Sequence, residues 1–130
     1  GRQIMRYLID SSAWIEYLKG SKTGEKVNKI LKENEEIFVL SIIIAEVVSK
    51  IERESLNSQL AYESMIKNAK IFDITPKISK EAGLLHAKIK QNQKSFSLAD
   101  ALIISSAKMI NAELVTKDSH FKHFTGAIII

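Results

Sequence analysis

At 130 residues, with 45% apolar content and no cysteine, the chain is long enough for one domain with a real core, and it excludes both disulfides and cysteine-based zinc sites. No run of about 18 apolar residues is present to span a membrane and no secretory signal is visible, so the expected compartment is the cytoplasm. Nineteen Lys and Arg against 15 Asp and Glu give a formal charge of +4 and a pI of about 9.3, which suits either a solvated lysine surface or the footprint of a polyanion.

Met5 reads as the initiator, which would make 1–4 a cloning remnant. Ile4 to Ile9 reads as a strand. Ser11 or Ser12 is placed to cap a helix whose apolar face is Ala13, Trp14, Tyr17 and Leu18, with Gly20 ending it. A second helix spans about Gly24 to Glu33 on Val27, Ile30 and Leu31. Ile37 to Leu40 is a short buried strand, and Ser41 is expected to cap a long helix to about Ser55. Asn57 or Ser58 starts another helix through Ala69. Ile71 to Ile74 is a strand, and Thr75-Pro76 is a cap with proline at the first helical position. A helix follows to about Gln91, and Ser97 caps one to about Asn111. Glu113 to Thr116 is a strand, Ser119 to Phe124 a short helix or turn, and Ala127 to Ile130 the last strand. Short apolar strands alternating with helices predict a three-layer α/β/α fold, with a central parallel sheet of about five strands. No repeat, linker or second domain is visible.

The chain has only four aspartates, and three of them adjoin apolar runs: Asp10 after Tyr7-Leu8-Ile9, Asp100 inside Leu98 to Ile104, and Asp118 after Leu114 to Lys117. Glu46 lies likewise inside Ile42 to Val48. An ionised carboxylate near a core costs several kcal/mol unless it is paired or binds a metal. Asp10, Glu46 and Asp100 have no Lys or Arg within two residues, and a shared divalent cation would satisfy the whole set. In open parallel sheets the ligand site lies at the carboxyl ends of the strands, where the topology places all four.

Each carboxylate also has a plain structural reading. Asp10 is a possible helix cap, although Ser11 and Ser12 offer that already. Ser97-x-x-Asp100 matches a capping box, and Asp118 is placed to cap the turn after it. Glu46 has only Lys50, four residues on, as a helix partner, worth about 0.3 kcal/mol. Asp73 alternates to the solvent side of its strand. His86, His120 and His123 read as surface or packing residues, and Trp14 and Tyr17 as core.

Taken together, Tyr7 to Ile15, Ser41 to Val47 with Glu46, Leu98 to Ile103 with Asp100, and Leu114 to Phe121 with Asp118 resemble the motifs of the PIN-domain nucleases, closest to the VapC-type toxins of toxin–antitoxin pairs. The resemblance covers the chain from Met5. It implies a Rossmann-like sheet, a Mg²⁺- or Mn²⁺-dependent endoribonuclease, and, in the toxin branch, a homodimer neutralised by an antitoxin. On this reading Asp10, Glu46, Asp100 and Asp118 are metal ligands and catalytic residues. Ser12 and Thr116 support them from behind, and Lys88, Lys90, Lys94, Lys117 and Lys122 are candidate contacts to RNA phosphates.

Other classes fit less well. A haloacid-dehalogenase-like phosphatase needs an Asp where Ser12 stands, and a phosphoacceptor receiver domain lacks its early acidic pair. No P-loop is present. The remaining alternatives are a PIN-like module that binds RNA or a partner without cutting it, and a PIN nuclease of RNA processing instead of a toxin.

Overall fold

The computed structural model describes residues 4–34 and 36–130. The expected remnant at 1–4 lies, except for Ile4, outside the described residues. Five strands form one sheet: β1 (Tyr7–Ile9), β2 (Ile37–Leu40), β3 (Lys70–Phe72), β4 (Glu113–Thr116) and β5 (Ala127–Ile129). Six helices connect them: α1 (Ser11–Leu18), α2 (Gly24–Glu33), α3 (Ser41–Arg53), α4 (Ser58–Asn68), α5 (Pro76–Lys90) and α6 (Leu98–Met109). The strand order is β3-β2-β1-β4-β5 and every neighbouring pair is parallel. The chain therefore builds outward from β1 to β3, then crosses back over β1 to place β4 and β5. Helices α1 to α4 pack on one another and α5 packs on α6, the two-sided cover that right-handed crossovers give this strand order.

The sheet is apolar because both faces are covered. Leu8, Ile9, Val39, Leu40, Leu114 and Val115 are buried without the alternation of a half-exposed strand. Each such side chain contributes about 1.5–3 kcal/mol when fully buried. On α3, Ile43, Val47 and Ile51 recur at helical spacing and turn into the core. Helix α6 is apolar nearly all round and is buried from Ile103 to Ala107. Gly24 opens α2 so close to α1 that an added Cβ would stand 2.2 Å from the Glu16 carbonyl oxygen. No side chain larger than hydrogen fits that contact.

The strand ends are set by their neighbours. The sequence favours strand from Ile4, yet β1 begins at Tyr7, which pairs with the first residues of β2 and β4, Ile37 and Glu113. Among the described residues no strand lies beside 4–6, and these three are exposed. Likewise β3 closes at Phe72, opposite Leu40, because β2 gives way to α3 at Ser41. Ser41 is not the cap of α3. Leu40 holds the extended cap geometry, and Ser41 is already helical and exposed. Asp73 is exposed, as its place in the alternation indicates. Trp14 is wholly buried.

Candidate active site

The carboxyl ends of β1 and β4 lie side by side where the strand order reverses, and this is the crevice in which open α/β sheets bind ligands. Asp10 follows β1 directly and is only 3% exposed. It is also the N-cap of α1, its side chain accepting from the Ala13 backbone N–H at 3.0 Å. The sequence pointed to Ser11 or Ser12 for this task. Instead Ser11 is the first helical residue, and the Ser12 hydroxyl turns back to donate to Asp10 Oδ1 at 2.7 Å. The other carboxylate oxygen, Oδ2, accepts from the Thr116 hydroxyl at 2.5 Å.

Thr116 ends β4 and is completely buried. Its oxygen accepts from the Asp118 backbone N–H at 2.9 Å, while the Ser12 oxygen accepts from the Lys117 N–H at 3.0 Å. The loop after β4 is thereby fastened to the start of α1 through two hydroxyls, and Asp10 is held between them. Burial still dominates: it pushes the Asp10 carboxyl above its ordinary range against the opposing hydrogen bonds from Thr116, Ala13 and Ser12, and the Asp118 charge adds to the rise.

Glu46 approaches from α3. Burial is again the main cause that raises its carboxyl, opposed by the nearby Ser11 hydroxyl and increased by the charges of Asp100 and Asp10. Its Oε1 is shielded from solvent and has no hydrogen-bond partner. Lys50 does not pair with Glu46; its ammonium faces Glu54 instead, at 3.8 Å. Asp100 completes the capping box foretold by Ser97, accepting from the Ser97 N–H at 3.2 Å while its own N–H donates to Ser97 Oγ at 3.0 Å. Asp118 caps the 3-10 turn Ser119–Phe121 through the His120 N–H, and His120 Nδ1 lies 3.2 Å from its Oδ1. An aromatic ladder links the segments that carry these last two acids. Phe96, just before the Ser97 cap, stacks on Phe124 at 6.2 Å between centroids, and Phe124 packs against Phe121 at 6.1 Å.

The fold thus brings Asp10, Glu46, Asp100 and Asp118 toward one end of the sheet, where Asp10 feels the charge of Asp118, and Glu46 the charges of Asp100 and Asp10. Among the described residues no three His, Cys, Asp or Glu side chains close into a ready metal cage. The donor set nevertheless suits a hard divalent cation: all oxygen, mutually repelling, with one buried carboxylate oxygen left unpartnered.

The lysines divide. Lys117 is ion-paired to Glu16 at 2.9 Å, and this contact lowers the Glu16 carboxyl. Lys88 and Lys90 end α5, and Lys94 lies in the segment leading to Ser97; all three are exposed, as is Lys122 beside the 3-10 turn. Three further cations, Lys19, Lys50 and Arg53, line the open grooves beside Glu46 and Ser11 and are not among the lysines expected to contact RNA. Their signal was available on α3, where Lys50 and Arg53 stand four and seven residues after Glu46 on one helix face.

The PIN-domain family model matches residues 7–127, and the chain belongs to that family. PIN domains generally use divalent metal ions. The fold matches a toxin–antitoxin complex from Klebsiella pneumoniae with a TM-score of 0.76 at 18% identity, covering 94% of this chain and 95% of that one. It also matches a VapBC complex from Rickettsia felis bound to a DNA fragment from its promoter, with a TM-score of 0.73 at 23% identity over 97% and 98% of the two chains. A sarcin–ricin-loop-cleaving VapC toxin from Mycobacterium tuberculosis matches at a TM-score of 0.72 and 11% identity, over 95% and 98%. No curated protein sequence matches the chain.

Proposed function

We propose that the chain is a metal-dependent endoribonuclease that hydrolyses RNA phosphodiester bonds, and that it is the toxin of a toxin–antitoxin pair. The observation that carries this reading is the convergence of Asp10, Glu46, Asp100 and Asp118 at the β1–β4 switch, with Asp10 and Glu46 raised by burial and by neighbouring carboxylates. These four residues would hold Mg²⁺ or Mn²⁺, both of which take oxygen ligands and accept phosphate oxygens. Bound there, such an ion supplies Lewis-acid activation of water and neutralises charge on the phosphate.

The chain's own residues prepare the site. Thr116 and Ser12 donate to both oxygens of Asp10 and keep its carboxylate aimed and ionisable despite burial. Glu46 presents an oxygen with no competing protein donor. The capping bonds of Asp100 and Asp118 fix those two side chains to the starts of their helical segments.

The toxin reading draws on the matched structures, several of which are toxin–antitoxin complexes. A suitable surface for a partner exists: an apolar groove of about 390 Å³ lined by Leu18, Ile51, Leu56, Leu60 and Ala61. Leu60, Tyr62 and Ile66 are exposed on α4. An antitoxin is proposed to cover such apolar surface together with the acidic site, and the toxin itself to form a homodimer in the cytoplasm.

The test is cleavage of structured RNA with single-stranded loops. Chelator should stop it and Mg²⁺ or Mn²⁺ should restore it. Cleavage that persists in excess EDTA sinks the metal-dependent reading. RNA binding without cleavage at any metal concentration moves the chain to the binding-module alternative.

A further inference from the structure

Two open grooves, of about 450 and 420 Å³, adjoin on the α1–α3 side of the acids and share Ser11, Ile15 and Lys50. The charged residues lining them are Lys19, Lys50, Arg53 and Lys117 against Glu16 and Glu46, four cations to two carboxylates. Two of the cations are already engaged: Lys117 with Glu16 at 2.9 Å and Lys19 with Glu54 at 3.0 Å. Lys50 and Arg53 are held more loosely, although both also act on the Glu54 carboxyl. Lys50 has only the 3.8 Å contact with Glu54, and the Arg53 Nε–H donates to Ser49 Oγ at 3.4 Å. Among the described residues no carboxylate lies within 4.0 Å of the Arg53 guanidinium.

Their placement follows from α3. Glu46, Lys50 and Arg53 share one helix face, and at about 1.5 Å of rise per residue the two cations stand roughly 6 and 10.5 Å along the axis from Glu46. One helix therefore carries a proposed ligand of the reacting centre at one point and two loosely held cations on the path leading from it. A polyanion approaching four carboxylates is repelled unless fixed cations hold the neighbouring phosphates. The arginine fork and the lysine ammonium are the groups that do so.

We propose that Lys50 and Arg53 form a phosphate track along α3, which holds the substrate strand on the Glu46 side of the acids. On this proposal the RNA backbone enters between α1 and α3, and the exposed lysines of the opposite layer, Lys88 and Lys90, are secondary. The proposal rests on the ribonuclease reading above, and its test separates the two.

Binding of a labelled single-stranded RNA to the Asp10→Asn protein, which cannot cleave on that reading, is measured by fluorescence anisotropy across a salt series with Mg²⁺ present. Adding Lys50→Ala and Arg53→Ala should weaken binding at least tenfold, whatever the RNA sequence. It should also flatten the slope of log affinity against log salt by about 1.4, at about 0.7 per phosphate on a single strand. Lys88→Ala with Lys90→Ala should change the slope by less than half as much. Lys50→Gln with Arg53→Gln keeps the side-chain stems and should reproduce the loss, which separates charge from packing. An unchanged slope in the α3 variants, or an equal or larger change in the α5 variants, overturns the track. So does unchanged RNA binding accompanied by lost binding of a polyglutamate peptide, which would give the groove to an acidic partner. If the parent cleaves but the slope does not move, the track alone fails. If the slope moves but the parent never cleaves, the nuclease reading fails and the track stands.

Discussion

Thr116 at the end of β4 donates its hydroxyl proton to Asp10 at the end of β1, across 2.5 Å and 106 residues of sequence. The same oxygen accepts from the Asp118 N–H, so one buried hydroxyl orients two of the four proposed metal ligands. Among the hydrogen bonds that oppose the rise of the Asp10 carboxyl, this one is the largest.

Thr116→Val keeps the shape and removes both bonds. It leaves an Asp10 oxygen and the Asp118 N–H without their partner, and the expected cost is about 1–3 kcal/mol of stability. Asp10 should rise further, and the alkaline shift of the pH–rate profile should report it. Thr116→Ser retains the hydroxyl and should recover the parent profile. A Val variant with unchanged pH dependence would show that Thr116 serves packing alone.

Asp10 is a helix cap and a proposed metal ligand at once, and two substitutions separate the tasks. Asp10→Asn keeps an oxygen for the Ala13 N–H and removes the buried charge. Its metal-free stability should stay within about 0.5 kcal/mol of the parent or exceed it. Asp10→Ala loses the cap and should cost about 0.5–2 kcal/mol. Both should abolish cleavage. Metal should stabilise the parent by about 2.7 kcal/mol at a hundred times its dissociation constant, and the variants much less. Thermal unfolding with and without millimolar Mg²⁺ reads all of this. If the Asn variant keeps the full metal shift, Asp10 is a cap and nothing more.

The elements were legible in the sequence because burial writes them plainly: apolar runs such as Ile37 to Leu40 have one use, and the acids beside them stand out as candidates. Strand ends were not, since Tyr7 and Phe72 bound their strands only through the length of their neighbours. The cap of α1 was missed because Asp10, Ser11 and Ser12 all have capping side chains. The choice among them depends on which residue stays extended, and that is Asp10. Helix spacing from Glu46 pairs it with Lys50, yet Glu54 stands equally four residues away on the other side of that lysine. The helix-pair rule cannot see that Glu46 is drawn inward toward Ser11 and the other acids.

Glu46 differs from Asp10 in having only the Ser11 hydroxyl close to its carboxylate, and its Oε1 is shielded and unpartnered. Glu46→Gln removes the charge that Asp100 and Asp10 oppose. The metal-free protein should gain about 0.5–1 kcal/mol, on the order of one hydrogen bond, while cleavage falls by at least tenfold. A loss of metal-free stability beyond 1 kcal/mol would mean that the carboxylate is satisfied by the protein, contrary to its proposed role.

The pH dependence of the metal-free protein follows from the two raised carboxyls. Asp10 and Glu46 lie above their ordinary values of 3.8 and 4.5, so the folded state retains protons that the unfolded chain has released. Stability then changes with pH in proportion to protons bound unfolded minus folded, which is negative here. Their contribution is fully present below the ordinary values and is lost as pH rises through the raised ones. Glu16, Glu36 and Glu54 act in the opposite sense. Lysine partners lower them, so their smaller, solvent-screened contributions are lost as pH falls below the ordinary glutamate range. The difference between parent and Asp10→Asn isolates the Asp10 share. Relative to the parent, the Asn variant should grow more stable as pH rises from about 4 toward 7, and metal affinity of the parent should rise over the same interval as protons are displaced. Denaturant unfolding of both proteins in EDTA at several pH values checks the first, and metal titration the second. A stability difference that stays flat across that interval would show that Asp10 is not raised, and that its hydrogen bonds outweigh its burial.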